Sequence, residues 1–206
     1  HTNFKISRSG EKIYLYSPTQ QLLSSLFVNC QDLDNSTGSF PNASDNIVLF
    51  DVATPTATND LSIPYSTYLI APILSVPAGL YSQPLEVIIS NPNVLPSNVY
   101  YTTDGSEPST SSNLYEGEPI PIFYSSVLKA RAFADTILPS PNAVASYLLG
   151  VQHTTPILAV TTDNTNLYGP NGIFDNWGLD WQKAAYVEYF DSTQQLVFAQ
   201  KAGMQI

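Results

Sequence analysis

The residues able to do chemistry in this chain are few and scattered. Glycoside hydrolysis needs two carboxylates flanking one bond. Glu107, Glu116, Glu118 and Glu188 are the acids to test for that role. Nothing in their spacing pairs them, and Glu107 falls in Asp104-Gly105-Ser106-Glu107-Pro108, where Asp104 and Gly105 read as structural turn residues. Zinc needs three or four ligands, whereas this chain offers His1, His153 and the lone Cys30. Two clusters of oxygen-bearing side chains, Asp32, Asp34 and Asn35 and then Asp163, Asn164 and Asn166, superficially suit a hard cation. The first lacks the Gly and Glu positions of an EF-hand loop, and turn or helix-capping chemistry is the plainer reading of both. No serine stands in a Gly-x-Ser-x-Gly elbow and no glycine-rich loop could cradle a phosphate, so no catalytic residue, metal or cofactor is assigned. Aromatic side chains give a different chemistry. Trp177 and Trp181 flank Gly178-Leu-Asp180 in a loop rich in Asn and Gly, with Tyr168 nearby. Flat apolar faces tipped with polar groups can stack on sugar rings, which makes Trp177, Trp181 and Tyr168 the candidate carbohydrate-binding residues. The competing reading is that both Trp residues cover the edge of a core.

The elements that must hold these residues are strands. Thr, Ser, Asn, Tyr and Val are abundant, 16 residues are Pro and 12% are charged. That profile favours loop-rich β structure over helix. The 17 acidic against 7 basic residues give a net charge of −10, which disfavours nucleic acid and anionic membrane surfaces as partners. A single cysteine permits no intrachain disulfide, and Cys30 reads as a small buried hydrophobe. No apolar run approaches the length of a membrane span, and no signal peptide is evident. The start at His1 without Met predicts a fragment or processed product of a longer protein.

Along the chain, Phe4–Ile6, Lys12–Tyr16 and Asn46–Phe50 read as strands, and Gln21–Val28 as a strand or short helix. Asp32–Asp45 reads as a loop dense in turn residues. Thr54-Pro-Thr-Ala-Thr-Asn59 reads as a linker, because proline removes a ladder donor. Leu85–Ile89, Val99–Thr103, Ser126–Ala134 and Asn142–Leu149 read as strands at the turn spacing of a sandwich. Pro156–Thr162 reads as a strand, Asp163–Tyr168 as a polar turn opening one helical turn, and Ala185–Phe190 as a strand pairing with Gln194–Phe198. Lys201–Ile206 is expected to begin a further strand. Asn35-Ser-Thr37 and Asn42-Ala-Ser44 fit the N-glycosylation sequon, and Asp135-Thr-Ile137 and Asp191-Ser-Thr193 resemble a short bacterial O-glycan acceptor. Motifs this short occur often by chance.

Three resemblances are carried by longer strings. Tyr101-Thr-Thr-Asp-Gly-Ser-Glu-Pro108, Ser112-Asn-Leu-Tyr115 and Leu128-Lys-Ala-Arg-Ala-Phe133 resemble the small immunoglobulin-like sandwich at the C-terminal end of chitobiases and β-hexosaminidases. That resemblance implies an accessory domain. His1–Glu11, Ile13–Pro18 and Ser44–Phe50 followed by Thr54-Pro-Thr56 look like the C-terminal half of a lamin-tail domain. Pro156–Asp163, Asn166-Leu-Tyr168, Gly172-Ile173, Ala185–Asp191 and Phe198–Ile206 resemble the opening of the spore-coat protein H (CotH) kinase-like family, whose acidic nucleotide-binding motifs lie further on. Modules in this order resemble large secreted surface proteins of Bacteroidota-type bacteria.

The expectation is therefore an all-β chain of tandem immunoglobulin-like β-sandwiches with a short truncated β-rich C-terminal region. Its parts are a partial lamin-tail-like sandwich over 1–59, a linker over 60–71, a chitobiase-type sandwich over 72–150 and a kinase-like opening over 151–206. The expected function is non-catalytic: a structural or adhesive module of a secreted or cell-surface bacterial protein. Two alternatives stay open, a carbohydrate-binding accessory module and the front of a kinase-like enzyme. The expected partners are a polysaccharide or another surface-protein chain, the latter completing an exposed strand edge.

Overall fold

The computed structural model describes residues 10–28, 35–151 and 153–206. His1, the expected strand Phe4–Ile6, Cys30, and Asp32 and Asp34 of the first cation candidate lie outside the described residues. Strand makes up 43% of the structure and helix 4%, spread over several sheets with no barrel, so the fold is all-β and immunoglobulin-like. The chain forms two compact units, His1–Tyr68 with Thr136–Leu138, and Leu69–Asp135 with Pro139–Ile206.

In the first unit, β1 (Glu11–Tyr16) and β2 (Leu22–Val28) form an antiparallel ribbon whose register runs from Glu11 opposite Val28 to a bulge at Leu15/Tyr16. The helical alternative for Gln21–Val28 is thereby excluded. A turn closes the ribbon through the Gln20 N–H donating to the Ser17 carbonyl at 2.9 Å, with Gln20 at φ 62°. β3 (Ser36–Ser39) and β4 (Ile47–Phe50) form a second ribbon. β3 lies inside the segment expected to be loop: Ser and Gly are weak strand formers, but Leu49 and Phe50 opposite give the ladder an apolar partner. Tyr65 extends it through reciprocal backbone hydrogen bonds with Leu49 of 2.8 and 2.9 Å. Phe50 is 2% exposed and meets Phe40 edge-on at 6.3 Å. A 3₁₀ turn at Asn59–Leu61, capped by Thr58, ties the 54–60 segment to Asn42 through side-chain hydrogen bonds.

The second unit contains a sandwich. One layer holds β5 (Ile73–Leu74), paired with β8 (Ile89–Ser90), and β7 (Leu85–Val87), paired with β11 (Ile120–Ile122). The other is a five-stranded sheet built from β6 (Gly79–Tyr81), β9 (Asn98–Thr102), β10 (Asn113–Leu114), β12 (Ser126–Phe133) and β13 (Ala143–Leu149). Its order is β10-β9-β12-β13-β6, antiparallel except where β13 runs parallel to β6. Alternation assigns the faces. Val87, Ile89, Ile120 and Ile122 are buried while Glu86, Ile88 and Pro121 between them are exposed. Across the core, Val99, Leu128, Ala130, Ala132, Ala145 and Tyr147 are buried from the five-stranded sheet. The second face of that sheet carries Tyr100, Thr102, Val127, Lys129, Arg131 and Ser146, as the ladder register requires.

The rest of the unit is β14 (Ile157–Thr161), β15 (Lys183–Phe190) and β16 (Leu196–Met204), an antiparallel sheet in the order β14-β15-β16, with the one-turn helix α1 (Asn164–Leu167) between its first two strands. Lys201–Ile206 does not begin a new strand. Lys201 to Met204 continue β16, and Lys183 pairs with Met204 at the far end of the ladder.

Candidate functional site

The conspicuous turn comes first. Asp104 Oδ1 accepts from the Ser106 N–H at 3.0 Å and from its hydroxyl at 2.6 Å, which holds the Asp104 carboxyl below the ordinary carboxylate range. Gly105 adopts φ +81°, a left-handed conformation that glycine tolerates, and its N–H donates to the Val127 carbonyl at 3.2 Å. A Cβ there would stand 3.1 Å from Thr161 Cγ2. Asp104 and Gly105 thus sit where the turn meets β12 and β14.

The turn delivers Glu107 to a buried cation. Lys129, 2% exposed on the second face of β12, places Nζ 2.6 Å from Glu107 Oε1, and the Asn142 amide donates to the other oxygen. The Glu107 N–H donates to Asp163 Oδ2 at 3.1 Å. Asp163 also caps α1, its Oδ1 accepting from the Thr165 N–H at 2.9 Å and hydroxyl at 2.6 Å. These Thr165 hydrogen bonds, with help from Glu107 N–H and the Lys129 charge, hold Asp163 below the usual carboxylate range. The second cation candidate is therefore occupied by its own chain. Asn166 also presents its amide N–H to the Thr162 hydroxyl at 2.9 Å and the Ala184 carbonyl at 3.3 Å, so it donates there. Among the described residues no group of three or more His, Cys, Asp and Glu side chains could hold a metal ion. His153 is exposed, and its carbonyl accepts from Gln194 Nε2 at 3.3 Å.

Glu188 has a different environment. It is 1% exposed on β15, and Oε1 accepts from the Ser146 N–H of β13 at 3.3 Å. Burial pushes its carboxyl above the ordinary range, a rise that Ser146 tempers. Glu116 and Glu118 are exposed near β11. The four glutamates named from the sequence are thus in three surroundings: an ion pair, a buried interface and open solvent.

The aromatic candidates lie on the loop after α1. Ile173, 2% exposed, anchors it, with the Ile173 and Phe174 N–H groups donating to the Asn166 and Leu167 carbonyls at 2.9 Å each. Asn176 Nδ2 donates to the carbonyls of Gly172 at 2.8 Å and Pro170 at 3.1 Å. Gly172 is required for the close approach, since a Cβ would fall 2.4 Å from Tyr168 backbone atoms. This frame presents Tyr168, 55% exposed, stacked on Phe174 with ring centroids 5.4 Å apart and 19° between planes. Trp177 is 76% exposed. Trp181 is half-buried, and the Lys183 ammonium sits 5.2 Å from its ring centroid. Tyr168 and Trp177 therefore offer free ring surface, whereas Trp181 is engaged by a cation.

Sequence reasoning missed Lys129, Asn142, Ser146 and Phe174. The sequence signal for Lys129 was partial: alternation in Leu128-Lys-Ala-Arg-Ala-Phe133 puts it on the face opposite the core residues, but nothing local shows that this face is covered. No curated protein matches this chain. Residues 76–145, which span most of the sandwich from before β6 into β13, match the family model of the chitobiase/beta-hexosaminidase C-terminal domain.

Proposed function

We propose that this chain is a non-catalytic, carbohydrate-associated accessory module that serves as a structural or adhesive element of a secreted or cell-surface protein. The observation that carries this reading is the fate of its acids. Glu107 is neutralised by Lys129, Asp104 and Asp163 hold turns together, and Glu188 is enclosed, so the carboxylates do structural work where hydrolysis would need two of them facing a substrate. The matched family points the same way, toward a domain that accompanies a glycosidase. The flanking parts, a lamin-tail-like segment over 1–59 and a kinase-like opening over 151–206, and the extracellular location belong to this proposal. With net charge −10, nucleic acid is a poor partner, and no helix among the described residues is long and apolar enough to cross a membrane.

A second reading is polysaccharide contact through the loop after α1, favoured by the exposed Trp177 and the Tyr168–Phe174 stack. One experiment addresses both. The purified chain is incubated with chromogenic N-acetylglucosaminides and then assayed by affinity electrophoresis in soluble glucan and chitin gels. No turnover is expected, and hydrolysis abolished by Glu107→Gln or Glu188→Gln would overturn the non-catalytic reading. Retarded migration lost in Trp177→Ala is expected of the second reading. Migration unchanged by any polysaccharide would leave a structural role alone.

A further inference from the structure

Glu188 is placed as no merely structural acid needs to be. Its strand neighbours Tyr186, Val187, Tyr189 and Phe190 are aromatic or aliphatic, and its ladder partners are Ala159 on β14 and Ala199 on β16. It reaches across to the five-stranded sheet, where the Ser146 N–H donates to its Oε1 at 3.3 Å. Oε2 and the neighbouring Ser146 hydroxyl are both buried without hydrogen-bond partners. A buried carboxylate that is neither paired with a cation nor fully hydrogen-bonded is strongly unfavourable, whereas a neutral carboxyl at the same site is tolerated. The cations of the unit are engaged elsewhere: Lys129 with Glu107, Arg131 with the Ser140 carbonyl and Lys183 with Trp181. Lys201, opposite Tyr186, is the charged group that β16 brings to the same face of the sheet.

We propose that Glu188 is a protonation-controlled latch between the five-stranded sheet and the β14–β16 sheet, closed while the carboxyl is neutral and loosened when it ionises. A shallow open groove lined by Asp104, Val127, Ser146, Leu148 and Val160 reaches Ser146, the residue that Glu188 contacts. Besides Lys201 on β16 and Asp104 in the groove, the titratable groups around it are phenols. Tyr186 on β15 is raised by burial first and by Glu188 second, and Tyr147 on β13 by burial first, then by Tyr81 on β6, then by Glu188. All three stay neutral through the range in which Glu188 titrates, so its own charge is the variable. The sign follows from linkage. Because burial raises Glu188 in the folded state, the docked form holds the extra proton. Docking is complete below the ordinary value of 4.5 and is lost as pH rises through the raised value.

The test is amide hydrogen exchange of the 206-residue chain from pH 4.5 upward, expressed as protection factors so that intrinsic rates cancel. Protection at Ser146 and through β14 and β15 is expected to fall by up to about tenfold per pH unit above the ordinary glutamate value, while that of Val99 and Ala130 in the sandwich core holds. Glu188→Gln, a neutral isostere, should stay protected across the range. A flat wild-type profile, or the same fall in Glu188→Gln, would overturn the latch. Should that variant not fold, a carbon-13 titration of the Glu188 carboxyl in the wild type decides: an apparent pKa at or below the ordinary value refutes the proposal, and one raised above it upholds it.

Discussion

The β1–β2 and β12–β13 ribbons are antiparallel pairs of similar length, with six and seven residues in one and eight and seven in the other. Their environments are opposite. On β1–β2 side chains of both faces are exposed among the described residues: Tyr14, Leu15, Tyr16, Leu23 and Phe27 are each at least half exposed. On β12–β13 both faces are covered. Leu128, Ala130, Ala145 and Tyr147 fill the sandwich core, and Lys129 and Ser146 are buried on the reverse face. Alternation of residue types sets the pleat in both ribbons, but burial depends on what covers each face. A polar residue is a neutral occupant on the first ribbon. On the second it must find a partner, as Lys129 does in Glu107.

The largest effect that would break this comparison is a core truncation. Leu128→Ala should destabilise the second unit by about 3 kcal/mol, the usual scale for a fully buried leucine, whereas Leu15→Ala on the open ribbon should change stability by less than about 0.5 kcal/mol. Urea unfolding followed by tryptophan fluorescence reads the first directly, because both Trp residues belong to that unit; far-ultraviolet circular dichroism reads the second. Equal losses would mean that the two ribbons are not differently packed.

Glu107→Gln sharpens the polar side of the contrast. It removes the direct ion-pair partner of buried Lys129 and leaves only the more distant Asp163 as an acid, and should cost about 2 kcal/mol in the same unfolding assay. That is below the range for a fully enclosed pair because Glu107 itself is 48% exposed and water can rearrange around the vacancy. A double variant that replaces Lys129 with Met as well should recover part of the loss, since an apolar side chain suits that site.

The smallest expected effect concerns Asp163. Its carboxyl is depressed in the folded state, so its contribution is present above the ordinary value of 3.8 and lost as pH falls through the depressed one. Asp163→Asn should therefore flatten the acid limb of the stability profile below about pH 4 while the Glu188 effect at higher pH persists. An acid limb unchanged in that variant would place the acid sensitivity elsewhere.

Much of this fold can be read from residue order. Asp104-Gly105 reads as a turn, and Gly105 takes the positive φ that such a turn uses. The one-turn helix follows from Asp163 as its cap. Other elements were hidden. Ser36-Thr-Gly-Ser39 has the composition of a loop and becomes a strand because Val48 and Leu49 lie opposite it. Lys201–Ile206 looked like a new beginning because its glycine interrupts the pattern, yet the register with Lys183–Tyr186 carries the strand through.

The same division applies to chemistry. The sequence by itself determined the strand-rich class, the acidic balance and the supply of reactive groups, since these depend on composition and on neighbours within a few residues. Only the tertiary structure decided that Glu107 is an ion-pair partner, that Trp177 is open while Trp181 is engaged, and that Glu188 is enclosed against Ser146. Charge state and exposure depend on the dielectric and on contacts made between residues 22 to 56 positions apart, such as Lys129 with Glu107, Glu188 with Ser146 and Glu107 with Asp163, and local sequence carries no record of them.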